Sequence, residues 1–231
     1  MRSIITALTA AGLLAACGQE PLEDRRVELL GDREQLIRLS VDLRGTHPTE
    51  DELRQFEDAA DKDATYAAYA DLWITQDAFT ERMVEVFDQR YLFKTGQVYF
   101  DPDEVGLDID DRIMAEMIAN EPLMLLRHVI DNDLPYSTMV TAEHSMANPE
   151  LALYWGMEYP DDGNGGWAPA QYVDGRPHAG VLTMSTTWQR YPSMGGNANR
   201  HRANAISKMF LCDDYLARPI VLNRAAVDQL T

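Results

Sequence analysis

The sequence predicts a mainly α-helical fold: a single irregular helical domain with long loops and at most short strands. Three observations carry this. Phe79, Met83, Val86, Phe87 and Tyr91 recur at i, i+4, i+7 spacing, one face of an amphipathic helix over Asp77–Tyr91. Helix start signals recur as well: Thr49-Glu50-Asp51-Glu52 fits a capping box, and Asn148-Pro149 sets a cap before a first-turn proline. Runs of β-formers are few and short, with no internal repeat and no heptad seam.

Each element follows from local signals. Leu36, Ile37, Leu39 and Val41 mark a first helix over Arg33–Asp42, ending near Gly45. His47-Pro48 breaks it, with His47 ordering a turn. The capping box starts a helix to about Ala60, and Ala64–Trp73 is a third. Lys94–Phe100 reads as extended. Asp110–Ala119 and Glu121–Asp131 read as two helices, with Pro122 in the first turn of the second. A helix follows Pro149 as far as Trp155. Tyr159–Gly175 reads as a long loop rich in Gly, Asp and Pro. Val181–Thr187 fits either helix or strand. Pro192–Asn197 reads as a turn. Asn199 then caps a helix to about Tyr215, with Ala203, Ile206 and Phe210 inward.

The first residues have a different character. Met1-Arg2-Ser3 is a positive start, Ile4–Leu14 an apolar stretch too short to span a bilayer, and Leu14-Ala15-Ala16-Cys17 resembles a bacterial lipobox. The expectation is a signal peptide over 1–16, lipidation at Cys17, a tether over 17–28 and the domain over 29–231. Gly18 after the lipidated cysteine resembles lipoproteins sorted to the outer membrane. Several acyl chains, palmitate among them, hold a protein there stably.

Net charge is −18 on 231 residues. So acidic a surface argues against nucleic acid, whose phosphates need a basic footprint, and against electrostatic binding to anionic lipid. Cys212 is then the one cysteine left, and within Met209-Phe210-Leu211-Cys212 it is expected to be buried. The chain has no CxxCH for haem, no HExxH and no GxSxG serine elbow. Asp213 and Asp214 disfavour a thiolate at Cys212. On these grounds an enzyme is the less favoured class.

Two clusters remain. Asp101, Asp103 and Asp108 lie in an acidic loop that echoes an EF-hand start but has Val105 and Arg112 where ligands belong. An irregular calcium site and a solvated helix cap both fit. Trp188, Arg190, Asn197, Asn199, Arg200 and Arg202 form the one basic, asparagine-rich stretch. It fits a surface for an anion or partner, and equally arginines that pair with carboxylates and fix a helix to the preceding loop.

Leu36-Ile-Arg-Leu-Ser-Val-Asp-Leu-Arg44-Gly45 followed by Pro48-Thr49 resembles the opening of large bacterial proteins with planctomycete-type, cytochrome-c-associated domains of unknown function. Thr141–Pro149, Arg176–Leu182 and Arg202–Pro219 are similar to successive blocks of that family, over about Leu36 to Val221. The resemblance implies a role near a c-type cytochrome, or another envelope protein. It also implies a CxxCH motif after Pro219, which residues 220–231 lack. The expectation is a truncated or split member, or one that performs the non-haem part of the task, with no cofactor in this chain other than possible calcium. The competing class is an envelope hydrolase acting on extracellular polymer such as glycan, with carboxylates near Trp155, Trp167 and Trp188.

Overall fold

A computed structural model describes residues 30–94, 100–191 and 200–217. The lipobox, the tether, most of Lys94–Phe100, the turn at Pro192–Asn197 and the cap at Asn199 lie outside the described residues. The fold is mainly helical, as the periodicity predicts, with one small sheet.

Helices α1 (Asp32–Arg44), α2 (Glu50–Glu57) and α3 (Lys62–Trp73) close over Leu36, Leu53, Phe56 and Trp73. Glu52 ties them together. Arg44 donates to both of its oxygens at 3.0 and 3.1 Å and lies 3.8 Å over the Trp73 ring. Trp73 Nε1 donates to the same carboxylate at 3.3 Å. The capping box is complete: Glu52 N–H donates to Thr49 Oγ1 at 3.2 Å, and Thr49 N–H donates to Glu52 at 2.7 Å. Burial pushes the Glu52 carboxyl up, but Arg44 and the Thr49 amide outweigh it and leave it below its ordinary value. Gly45, at φ 72, ends α1 where the sequence predicts, because there the backbone turns left-handed. Ser40 donates to the Thr46 carbonyl at 2.6 Å just beyond. The block from Leu36 to Thr49 is therefore a structural joint.

Helix α4 (Asp77–Tyr91) has the predicted bounds and packs between α1 and the central helix. That central helix, α5 (Asp111–Asp131), corrects an expectation. The sequence predicts two helices split at Asn120; the structure has one of 21 residues with Pro122 inside it. Proline lacks the N–H that would bond the Ile118 carbonyl, a defect that costs about 3 kcal/mol in an ordinary helix interior. Here the carbonyl has another donor. Thr186, fully buried, donates its Oγ1 to Ile118 O at 2.6 Å. A partner 68 residues away is invisible to local signals.

Around α5 the chain adds α6 (Thr138–Thr141), β1 (Ser145–Ala147), α7 (Pro149–Trp155), β2 (Met157–Glu158) and β3 (Ala168–Tyr172). Asn148 caps α7 through the Leu151 amide at 2.9 Å, as predicted. The strands form an antiparallel sheet in the order β1-β3-β2, with Ser145 opposite Ala170 and Met157 opposite Tyr172. The stretch Tyr159–Gly175 is thus not wholly a loop. Its strand is five residues long and contains Pro169, so neither length nor composition announces it. The first half of α5 packs with α7 and the sheet around Met114, Ile118 and Leu151. The second half packs with α4 and α6 around Leu123, Leu126 and Met139.

Of the ambiguous segment Val181–Thr187 only the end is helical: α8 (Ser185–Arg190) begins there, and Val181–Met184 is not helical. Helix α9 (Arg200–Phe210) is shorter than predicted and turned differently. Ala205 and Met209 face the core with Asn204 and Ser207, whereas Ala203 is exposed and Ile206 and Phe210 are half-buried. Two buried polar residues misdirect a hydropathy reading. Cys212 is exposed, not buried: the chain leaves α9 there in a left-handed turn at φ 53.

Thr186→Val should cost about 1–3 kcal/mol in chemical unfolding, since it strands a buried carbonyl. In a Pro122→Ala background the helix regains its own N–H donor, and the same change should cost much less. Equal costs in the two backgrounds would show that Thr186 acts otherwise.

Candidate functional site

The basic stretch singled out by the sequence is partly assembled. Trp188 on α8 lies beneath Arg202 of α9, with the guanidinium carbon 5.1 Å from the ring centroid. Trp188 Nε1 donates to the Leu182 carbonyl at 2.7 Å. Arg202 donates Nε to the Tyr191 carbonyl at 3.0 Å and Nη2 to the Trp188 carbonyl at 3.5 Å. These are the carbonyls at the C-terminal end of α8, where a cation is favoured. Arg190 is half-buried, 5.4 Å from the Tyr191 ring. Arg200 stands exposed at the start of α9. Asn197 and Asn199 lie outside the described residues.

Helix α9 separates two concavities. On one side Trp188, Arg202, Ile206, Leu211 and Tyr215 line a mainly apolar groove of about 490 Å³, with Leu211 68% exposed. On the other a pocket of about 280 Å³ lies between α9 and the end of α4, lined by Arg90, Tyr191, His201, Asn204 and Lys208.

The acidic loop is built as caps. Asp101 accepts from the Asp103 amide at 3.0 Å in a short 3-10 turn over Pro102–Val105, and Asp110 accepts from the Arg112 amide at 2.8 Å. Asp108 is exposed nearby. Among the described residues no three His, Cys, Asp or Glu side chains gather as metal ligands would.

A further group of titratable residues is one that sequence reasoning missed. Glu121 on α5 is 1% exposed. Ser145 of β1 donates to its Oε1, and its Oε2 has no partner among the described residues. Burial pushes this carboxyl up to about 7, against a small opposing pull from Ser145. Tyr172 on β3 is close enough for Glu121 to help push it up to about 12, though burial is the larger cause. Tyr172 stacks on His178 at 4.4 Å and donates its backbone N–H to His178 Nε2 at 3.2 Å. An accepting Nε2 keeps His178 neutral, and burial followed by Arg176 holds it below its ordinary value. His144 meets His128 edge-on at 5.4 Å. Burial, then His128 and His178, lowers it too. Histidines far apart in sequence therefore converge, through the blocks Thr141–Pro149 and Arg176–Leu182. Gly180 makes that convergence possible. At φ 50, any Cβ on it would run into the Met139 carbonyl, and Val181 N–H donates to that carbonyl at 2.8 Å. The one signal in the sequence was Glu121 itself, an acid between apolar neighbours on the buried face of a helix.

Unlike an exposed acid pair on an aromatic platform, Glu121 is closed off from solvent, while Trp155 packs with Phe100 and Trp188 with Arg202.

The matched part of the chain belongs to a family of uncharacterised domains. Residues 30–157 match PSD4, described as protein of unknown function (DUF1592), and since they are more than half of the sequence the chain belongs to that family. No curated protein and no solved structure matches. The match takes in the Arg44–Glu52 joint, all of α5 and the Glu121–Ser145 contact.

The Glu121 carboxyl, with its folded pKa above its unfolded value, contributes stability that is full below about pH 4 and is lost as pH rises through about 7. Glu121→Gln should remove this dependence. Relative to wild type the variant should gain on the order of 3 kcal/mol between pH 5 and 8 in urea unfolding. Parallel pH profiles for the two proteins would overturn the assignment.

Proposed function

We propose that the chain is a lipid-anchored binding module of the bacterial envelope, held in the outer membrane through Cys17, and that it docks a c-type cytochrome or electron-transfer assembly through the corner of α8 and α9. The observation that carries the docking reading is the apolar groove beside the Trp188–Arg202 stack, with Leu211 exposed on its lip. Tryptophan, tyrosine and arginine anchors around a concave apolar patch are what protein interfaces concentrate their energy on. The cations of this corner, in a protein whose formal charge is −18, support a partner that presents acidic groups to it. Arg202 serves the corner by holding α9 against α8, and Arg190 and Arg200 add cations to its edge. The cytochrome rests on the four sequence blocks that resemble cytochrome-associated proteins. The anchor rests on the lipobox. Among the described residues no helix is long and apolar enough to cross a membrane.

Two experiments test this. Cys17→Ser should move the protein from the membrane fraction to the soluble fraction; continued sedimentation with membranes would remove the anchor. Wild-type protein solubilised from its native membrane should co-purify with a c-type haem absorption band. Leu211→Asp should weaken that association about tenfold with an unchanged melting temperature. A preparation with no haem band, or an association indifferent to Leu211→Asp, would overturn the docking reading.

A further inference from the structure

The pocket on the opposite face of α9 has features that docking does not use. Arg90, His201 and Lys208 bring cationic or protonatable groups to one small concavity of a protein whose net charge is −18. Their setting is fixed. Tyr91 donates to the Met209 carbonyl at 3.2 Å, and Tyr191 donates to the Tyr91 carbonyl at 3.2 Å, so α4, α8 and α9 are tied around the pocket floor. His201 meets the Tyr191 ring edge-on at 5.3 Å and completes an aromatic wall. Burial raises the Tyr191 hydroxyl, while Arg190, Lys208 and Arg90 all pull against that rise, so three positive charges act on this spot.

The second observation is Asn204. It lines the pocket, is only 6% exposed, and its side-chain oxygen is buried with no hydrogen-bond partner among the described residues. A buried amide oxygen left without a partner is costly, so it points to something that binds there. An amide offers an acceptor beside donors. The occupant must therefore bring negative charge for the cations and a hydrogen-bond donor for Asn204. A halide or a sulfate brings the charge without the donor. A hydroxylated carboxylate brings both. A volume of about 280 Å³ sits at the lower edge of small-molecule pockets and restricts the ligand to metabolite size.

We propose that this pocket binds a small hydroxy-carboxylate, with its acid group held by Arg90 and Lys208 and a hydroxyl donating to the side-chain oxygen of Asn204. Lys208 also pairs with Asp214 at 2.9 Å, so part of its charge is already answered. Arg90 carries more of the acid's attraction. His201, on the pocket wall, adds to it when protonated.

Titration calorimetry on the full chain at constant ionic strength tests this, with gluconate as probe and xylitol and sulfate as controls. Gluconate is expected to bind and xylitol, its uncharged counterpart in this test, is not. Arg90→Gln should weaken gluconate about tenfold, and Lys208→Gln by less. Asn204→Asp, which keeps the shape but adds a negative charge, should abolish binding. If that buried change unfolds the domain, the two exposed cation substitutions still decide. Leu211→Asp, on the far side of α9, should leave gluconate binding intact, which separates this site from the docking groove. The proposal is overturned if gluconate does not bind, if Arg90→Gln leaves its affinity unchanged, or if sulfate binds as tightly.

Discussion

The hydroxyl of Thr186 on the Ile118 carbonyl is the contact on which the rest of the fold depends. Pro122 leaves a gap in the hydrogen bonding of α5 at its midpoint, where the helix is buried on most sides. Without a donor from elsewhere, the central helix would carry an orphaned carbonyl in its dry interior. Thr186 supplies that donor and in doing so fixes α8 against α5. The described elements after residue 185 take their position from there: Trp188, the Arg202 clamp, α9 and the concavities on its two sides. A local defect in one helix is thus the anchor point of a distant one.

The same midpoint holds Glu121. It lies where the two halves of α5 meet different apolar surroundings, one including α7 and the sheet and the other α4 and α6. A carboxyl buried at such a junction is tolerated because it keeps a proton near neutral pH and shares Ser145 as a partner. The neighbouring imidazoles are likewise disposed to stay neutral. The polar groups in this part of the interior therefore add little net charge to it.

Legibility from sequence followed the range of the interaction. Elements set by near neighbours were readable. The capping box at Thr49, the cap at Asn148 and the bounds of α4 each depend on residues within a few positions. The continuity of α5, the short strand that contains Pro169 and the inward face of α9 were not, because Thr186, β1 and Tyr91 decide them from far along the chain. The resemblance blocks behave the same way. They were recognisable as strings, but part of their physical content is contact between blocks, such as the Gly180 amide donating to the Ala142 carbonyl at 3.1 Å. Of the basic stretch, Trp188 and Arg202 come together as a pair, whereas the pocket beyond them needed Arg90 from α4, which no spacing rule connects to α9.

Glu52 gathers donors from Arg44, Thr49 and Trp73 on a single carboxylate. Groups that share one acceptor are energetically coupled, so their contributions do not sum. Whichever partner is lost first loosens the carboxylate for the others, and later losses find less left to remove. Substitution at any one of these four positions changes what is permitted at the remaining three. The N-terminal helices should consequently drift in sequence as a linked set, with replacements arriving together or not at all.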